Sequence, residues 1–241
     1  MNTISTKGLL LRIFIPTATI SLLYLLLGFF CPIPHLLLFC LVGSVTLVPI
    51  ELWFMLSASK KETGAYSLKS AFAGQGKAPV LQTVVIALLF FGLAGLLSAF
   101  FAPVENQLFA GARGAVLSRL PAGFDWANYA YLKTFSRPVL IFTCVYYGIF
   151  NVAVAPVVEE LFFRGYLTSH YKKQSAATPV LIAVLFSLYH FWLPFNNLFR
   201  IALFVPVAYV AYRKKNIYIS IAFHCICNFV STLGFAMAVL A

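Results

Sequence analysis

Long apolar runs dominate this sequence, and they decide its solvent before any motif is considered. A helix rises about 1.5 Å per residue, so about 20 apolar residues cross the roughly 30 Å hydrocarbon core of a bilayer. Residues 9–30, 35–57, 80–102, 138–158 and 216–241 each meet that length. Two shorter runs, 177–193 and 196–212, stand near its lower limit, and Pro194, Asn196 and Asn197 break the chain between them. The expectation is an all-α polytopic transmembrane bundle of about seven spans. Of the 241 residues 62% are hydrophobic and only 10% charged. Soluble domains keep about a quarter charged, so a soluble fold, a disordered chain, a coiled coil and a soluble nucleic-acid binder are excluded.

Seventeen Lys and Arg against six Asp and Glu give a net charge of +11. In a soluble domain that excess would point to nucleic acid. Between apolar runs it fixes topology and meets anionic lipid, so membrane lipids are the expected partners and nucleic acid is not. With the N-terminus inside, the inner segments hold Lys7, Arg12, Lys60, Lys61, Lys69, Lys77, Lys172, Lys173, Arg213, Lys214 and Lys215. The outer ones hold Arg113, Arg119, Lys133, Arg137 and Arg200. That asymmetry gives N-in and C-out. The first run is too long and weakly bounded for a cleaved signal, and the C-terminal Ala-Val-Leu-Ala has no prenylation cysteine. The five cysteines, Cys31, Cys40, Cys144, Cys225 and Cys227, read as small core residues and not as a disulfide framework.

Ionisable residues inside a span cost several kcal/mol and by default mark function. Two of the six acids are adjacent, in Ala155-Pro156-Val157-Val158-Glu159-Glu160-Leu161-Phe162-Phe163-Arg164-Gly165. Helical neighbours point about 100° apart, so the two carboxylates face different directions. Glu160 and Arg164 stand at i and i+4 with the acid first, the better order for an ion pair. That leaves Glu159 unpaired and free for chemistry. Pro156 lacks an N–H and frees the carbonyl of Val152, bending the helix beside Glu159. Two histidines fall inside later spans: His190, with Phe186 one turn earlier, and His224, with Asn228 one turn later. Glu159 lies 13 residues before Lys172, His190 13 after Ala177 and His224 nine after Lys215. Those separations are about 20, 20 and 14 Å along their helices, so three antiparallel helices bring the groups to similar depth. They are read as one site. Glu51 is expected to reach the inner interface, and His35 and His170 to sit at span ends in the interfacial region.

A carboxylate, two imidazoles and an amide in a membrane cavity suit hydrolysis. Glu159 would take a proton from water held by His190, and His224 and Asn228 would donate to an oxyanion. No serine or cysteine stands in an evident nucleophile pairing. There is no Gly-x-Ser-Gly or His-Glu-x-x-His pattern, and Asp125 alone makes no aspartyl dyad.

At these residues the sequence resembles the CPBP (CAAX protease and bacteriocin-processing) family of intramembrane proteases, which includes the Rce1-type CaaX endopeptidases. Its Glu-Glu-x-x-x-Arg motif is here Glu159, Glu160 and Arg164. Its Phe-x-x-x-His motif is Phe186 and His190, and its His-x-x-x-Asn motif is His224 and Asn228. The resemblance covers about 138–235 and divides the chain into a membrane-spanning region, 1–137, and a protease core, 138–241. It implies an intramembrane endopeptidase acting on peptide or lipidated protein substrates. The site would open to the cytosolic side of a multi-pass membrane protein, in the cell membrane if the host is prokaryotic. Glu159, His190, His224 and Asn228 would be catalytic, with Glu160, Arg164 and Phe186 in support. No cofactor is favoured, because Glu159 as a ligand would leave no second carboxylate as base. Zinc on Glu159, His190 and His224 is the alternative. The other functional readings are a catalytically silent scaffold or immunity protein of the same fold, and a transporter.

Overall fold

The apolar periodicity resolves, in the computed structural model, into a helical bundle in which residues 3–241 are described. In chain order its helices are α1 (Thr6–Gly28), α2 (His35–Thr63), α3 (Val80–Leu108), α4 (Arg137–His170), the shorter α5 (Thr178–Leu188), α6 (Pro194–Arg213) and α7 (Tyr218–Leu240). All but α5 are long and apolar enough to cross a membrane. The protein is an integral multi-pass membrane protein. Large apolar side chains on the outer faces of α1, α3 and α7 are exposed, among them Leu26, Leu96 and Met237. In a bilayer that exposure costs nothing, because the surrounding lipid is as apolar as the side chains.

The run expected as a span at 177–193 is instead an 11-residue helix followed by irregular chain. Pro194 disfavours helical geometry at the residue before it, and Leu193 accordingly sits at φ −136°, ψ 58°. Tight turns carry the chain through this stretch, with Phe191 N donating to Tyr189 O at 2.9 Å and Leu193 N to His190 O at 2.9 Å. The passage nevertheless runs the length of the bundle. At one end Asn216 Nδ2 donates to Thr83 Oγ1 at 2.8 Å. At the other, Leu198 N donates to the buried Glu105 Oε1 at 2.7 Å, which satisfies an N–H at the start of α6. The first of these ends carries Lys172, Lys173 and Arg213–Lys215. It is also where Ile4 N donates to His170 O (2.7 Å) and Gly76 N to Lys215 O (2.7 Å). The opposite end is closed by an aromatic cluster in which Trp126 Nε1 donates to Tyr24 OH at 2.8 Å. His35 and His170 are not interfacial but buried, 3% and 2% exposed. His35 donates to Gly28 O at 2.9 Å, and His170 meets Glu62 at 3.3 Å.

Helix α4 is the axis of the bundle: every residue from Val158 to Thr168 is buried. A helix apolar on all sides belongs in the interior, and this one carries its two acids and an arginine there. Two of its stretches, Ile149–Val154 and Leu161–Leu167, are wound as π-helix. Gly165 lets α4 meet the turn Lys69–Phe72 at van der Waals distance, since a Cβ there would lie 2.2 Å from the carbonyl oxygen of Ala71. Gly165→Ala should therefore cost about 1–3 kcal/mol or more through backbone displacement. A fall in the melting temperature of the purified protein and in folded yield would show it, whereas Gly92→Ala, which meets nothing within 4 Å, should leave both unchanged.

Candidate active site

The local winding of α4 decides what its polar side chains can reach. Ala155 N donates five residues back, to Phe150 O. In that register the carbonyl opposite Pro156 is that of Asn151 and not that of Val152, as ordinary α-helical counting from the sequence would give. Asn228 Nδ2, from α7, supplies the missing donor to Asn151 O at 2.8 Å. The side chain of Asn151 in turn donates to Thr232 Oγ1 at 2.9 Å. The proline, the wide turn and the asparagine pair thus form one device that ties α4 to α7 and fixes Asn228.

One turn further on, the two glutamates part company. Glu160, fully buried, lies 3.2 Å from Arg164 Nε and receives His224 Nδ1 at 3.0 Å. The Arg164 guanidinium lies over Phe186 of α5 (4.0 Å to the ring centre) and Phe204 of α6 (5.0 Å). A planar, weakly hydrated cation suits such stacking better than an ammonium would. Glu159, 6% exposed, turns the other way. Its Oε2 is 3.9 Å from His224 Nε2, and its Oε1 is 3.4 Å from the hydroxyl of Tyr189. The same hydroxyl donates to Glu51 Oε1 at 2.9 Å.

Glu159, His190, His224 and Asn228 line a single cavity of about 760 Å³. Most of the rest of its wall is apolar, with Phe186, Phe204, Trp126 and Trp192 among the lining residues. It includes the exposed Gly92 and Gly95 of α3 and Val230 and Ser231 of α7, so the cavity reaches the lipid-facing surface between those helices. It also runs to Asn196 and Trp126. None of Lys172, Lys173 and Arg213–Lys215 lines it, although the sequence led us to expect an opening on their side. Arg164 stacked on Phe186 and Phe204 closes that end.

Two features of these acids departed from expectation. Glu159 is not free of partners: His224 and Tyr189 both approach it. His224 is the imidazole that comes within 4 Å of the Glu159 carboxylate, while His190 faces the same cavity with its Nδ1 bonded to Phe186 O at 2.8 Å. Glu51 is not interfacial but fully buried. As for zinc, each imidazole has its Nδ1 engaged and only Nε2 left for the cavity. Among the described residues no three His, Cys, Asp or Glu side chains group closely enough to hold a metal ion.

Residues 141–230 match the family model described as type II CAAX prenyl endopeptidase Rce1-like. Over that segment the chain is similar to the Rce1-like family. The description is that of a protease family, and the matched segment holds Glu159, Glu160, Arg164, Phe186, His190, His224 and Asn228. No curated protein and no solved structure matches the chain. Tyr189 and Asn151 also lie within the Rce1-like segment, and sequence reasoning passed over both. Glu51 lies outside it, on α2, and only the tertiary fold brings it to Tyr189.

Two outcomes follow from these contacts. Glu160→Ala would leave Arg164 buried without its counter-ion, a loss of about 3–5 kcal/mol, so folded yield and thermal stability should drop sharply. A variant that melts like the parent would contradict the pairing. Tyr189→Phe would leave Glu51 without a hydrogen-bond donor and should cost about 1–3 kcal/mol. Because Glu51 Oε2 already lacks a partner among the described residues, adding Glu51→Leu to Tyr189→Phe should recover part of that loss in a denaturation cycle.

Proposed function

We propose that the chain is an intramembrane endopeptidase that hydrolyses peptide bonds of membrane-associated or lipidated, CaaX-type substrates without a metal. The observation that carries this reading is the convergence of Glu159, His190, His224 and Asn228, within the Rce1-like segment, on one largely apolar cavity. A peptide bond needs a base for the attacking water, a donor for the carbonyl oxygen and a proton for the leaving amine. Glu159 takes a proton from a water held by His190 Nε2, and the resulting hydroxide attacks the carbonyl carbon. Asn228 and the Nε2–H of His224 donate to the oxyanion. As the C–N bond breaks, Glu159 returns its proton to the amine nitrogen. Glu160, by accepting from His224 Nδ1, fixes which ring nitrogen faces the cavity. Tyr189 holds the Glu159 carboxylate from the other side.

The apolar wall suits a hydrocarbon chain attached to the substrate. The gap at Gly92 and Gly95, where no side chain fills the space between α3 and α7, offers lateral access from lipid. Residues 1–137 supply α1 to α3, and hence that access route and Glu51, while 138–241 supply the chemistry.

Glu159→Gln preserves shape and removes the base. It should lower cleavage at least about 100-fold while the melting temperature stays at the parent value. Mass spectrometry of host membranes should show which peptide or lipidated protein accumulates in that variant. The purified active enzyme should contain no stoichiometric zinc and should keep its activity in chelators. Cleavage near the parent rate in Glu159→Gln would remove the proposed mechanism, and one zinc per chain with metal-dependent recovery would reverse the metal-free reading.

A further inference from the structure

The site above leaves a second cavity unused, at the basic end of the bundle. It measures about 560 Å³ and lies on the opposite face of the Arg164–Phe186–Phe204 stack. Its charged lining residues are Arg164, Arg213 and Lys215, with no carboxylate among them. Gln75 also lines it; its Oε1 accepts from Ile217 N at 2.9 Å, which leaves its amide N–H groups as neutral donors.

We propose that this cavity is an anion site that takes a phosphate group, either the headgroup of an anionic lipid or free phosphate. Arg164 is the strongest reason. It is 6% exposed, and its Nε, Nη1 and Nη2 all lack a hydrogen-bond partner among the described residues. Glu160 meets its Nε as an ion pair at 3.2 Å, but that carboxylate is shared with His224, and Nη1 and Nη2 are left without an acceptor among the described residues. A buried guanidinium with unused donors is rare and calls for a ligand; a tetrahedral oxyanion accepts from such a fork in bidentate fashion. The exposed Arg213 and Lys215 add two cations at the mouth. The backbone holds them in place, since Lys215 has φ 48° and its carbonyl accepts from Gly76 N at 2.7 Å. Basic pockets between transmembrane helices are suited to phosphorylated lipid headgroups at the membrane surface. An anion here would draw on Arg164 and so act on Glu160, then His224, then Glu159, through contacts of 3.2, 3.0 and 3.9 Å. That last consequence rests on the proposed protease chemistry; the binding does not.

The test therefore reads binding first, on the full chain. In detergent, inorganic phosphate should raise the melting temperature saturably relative to sodium chloride at matched ionic strength. Arg213→Gln/Lys215→Gln should weaken that response at least about tenfold, and Arg213→Lys/Lys215→Arg should retain it. That pattern assigns free phosphate. If phosphate has no effect, yet protein extracted from vesicles of mixed phosphatidylglycerol and phosphatidylcholine retains phosphatidylglycerol and the Gln double variant does not, the ligand is the lipid headgroup. Should the double variant fold poorly, each single variant repeats both arms. No saturable phosphate effect together with no lipid preference would overturn the proposal, as would responses identical in parent and variant. Under the proposal, changing the anion also changes the cleavage rate of the parent protein but leaves Arg213→Gln/Lys215→Gln unaffected; binding without that effect removes the coupling alone.

Discussion

The buried ion pair of Glu160 and Arg164 is the interaction on which the arrangement of the bundle turns. A single charge in this interior would cost several kcal/mol, so neither residue could occupy its place without the other. The pair is not isolated. His224 of α7 completes Glu160, and Phe186 of α5 and Phe204 of α6 cover the two-dimensional face of the guanidinium. One i, i+4 pair on α4 thereby sets the positions of three other helices. It also orients the His224 ring with Nε2 toward Glu159, so the two carboxylates meet opposite edges of one imidazole.

The π-wound stretches of α4 explain how one helix can do this. In a regular α-helix the carbonyl four residues before Pro156 would lose its donor and two neighbouring side chains would diverge by a fixed angle. Widening the turn moves the orphaned carbonyl to Asn151, where Asn228 reaches it. π-turns weaken the backbone ladder, and they persist where other groups take up the slack. Here those groups are Asn151 of α4 itself and Asn228, Thr232 and His224 of α7, all polar side chains that would be costly facing lipid. The strained helix and the polar face of α7 need each other.

How much of this was legible in the sequence depended on the range of the interaction. The helical bundle was legible because apolar length needs no partner to be read. The Glu160–Arg164 pair was legible because it is local, and helical periodicity fixes it. Depth arithmetic grouped Glu159, His190 and His224 on similar planes, and their side chains do line one cavity. It could not choose between the histidines, because the approach of His224 to Glu159 follows from Glu160 gripping the far side of its ring. Tyr189 was overlooked because a continuous helix would send it away from His190; the helix stops at Leu188, and both side chains turn into the interior. Glu51 was placed at the interface because nine residues separate it from Lys60. Nothing local to α2 records that the tyrosine just past α5 will meet it.

The same wall of Arg164, Phe186 and Phe204 accounts for the asymmetry of the two cavities. On one side of it the lining is aromatic and aliphatic, the carboxylate is Glu159, and the opening leads to lipid between α3 and α7. On the other the lining is cationic and the opening leads to the basic end. A guanidinium can serve both sides because its faces are apolar while its edge carries the donors. Lysine at 164 would keep the charge that Glu160 requires but would offer no flat face to Phe186 and no fork to the basic cavity. The arginine is therefore the one side chain of its charge that can pair with Glu160, cover the two aromatic rings and still line the basic cavity.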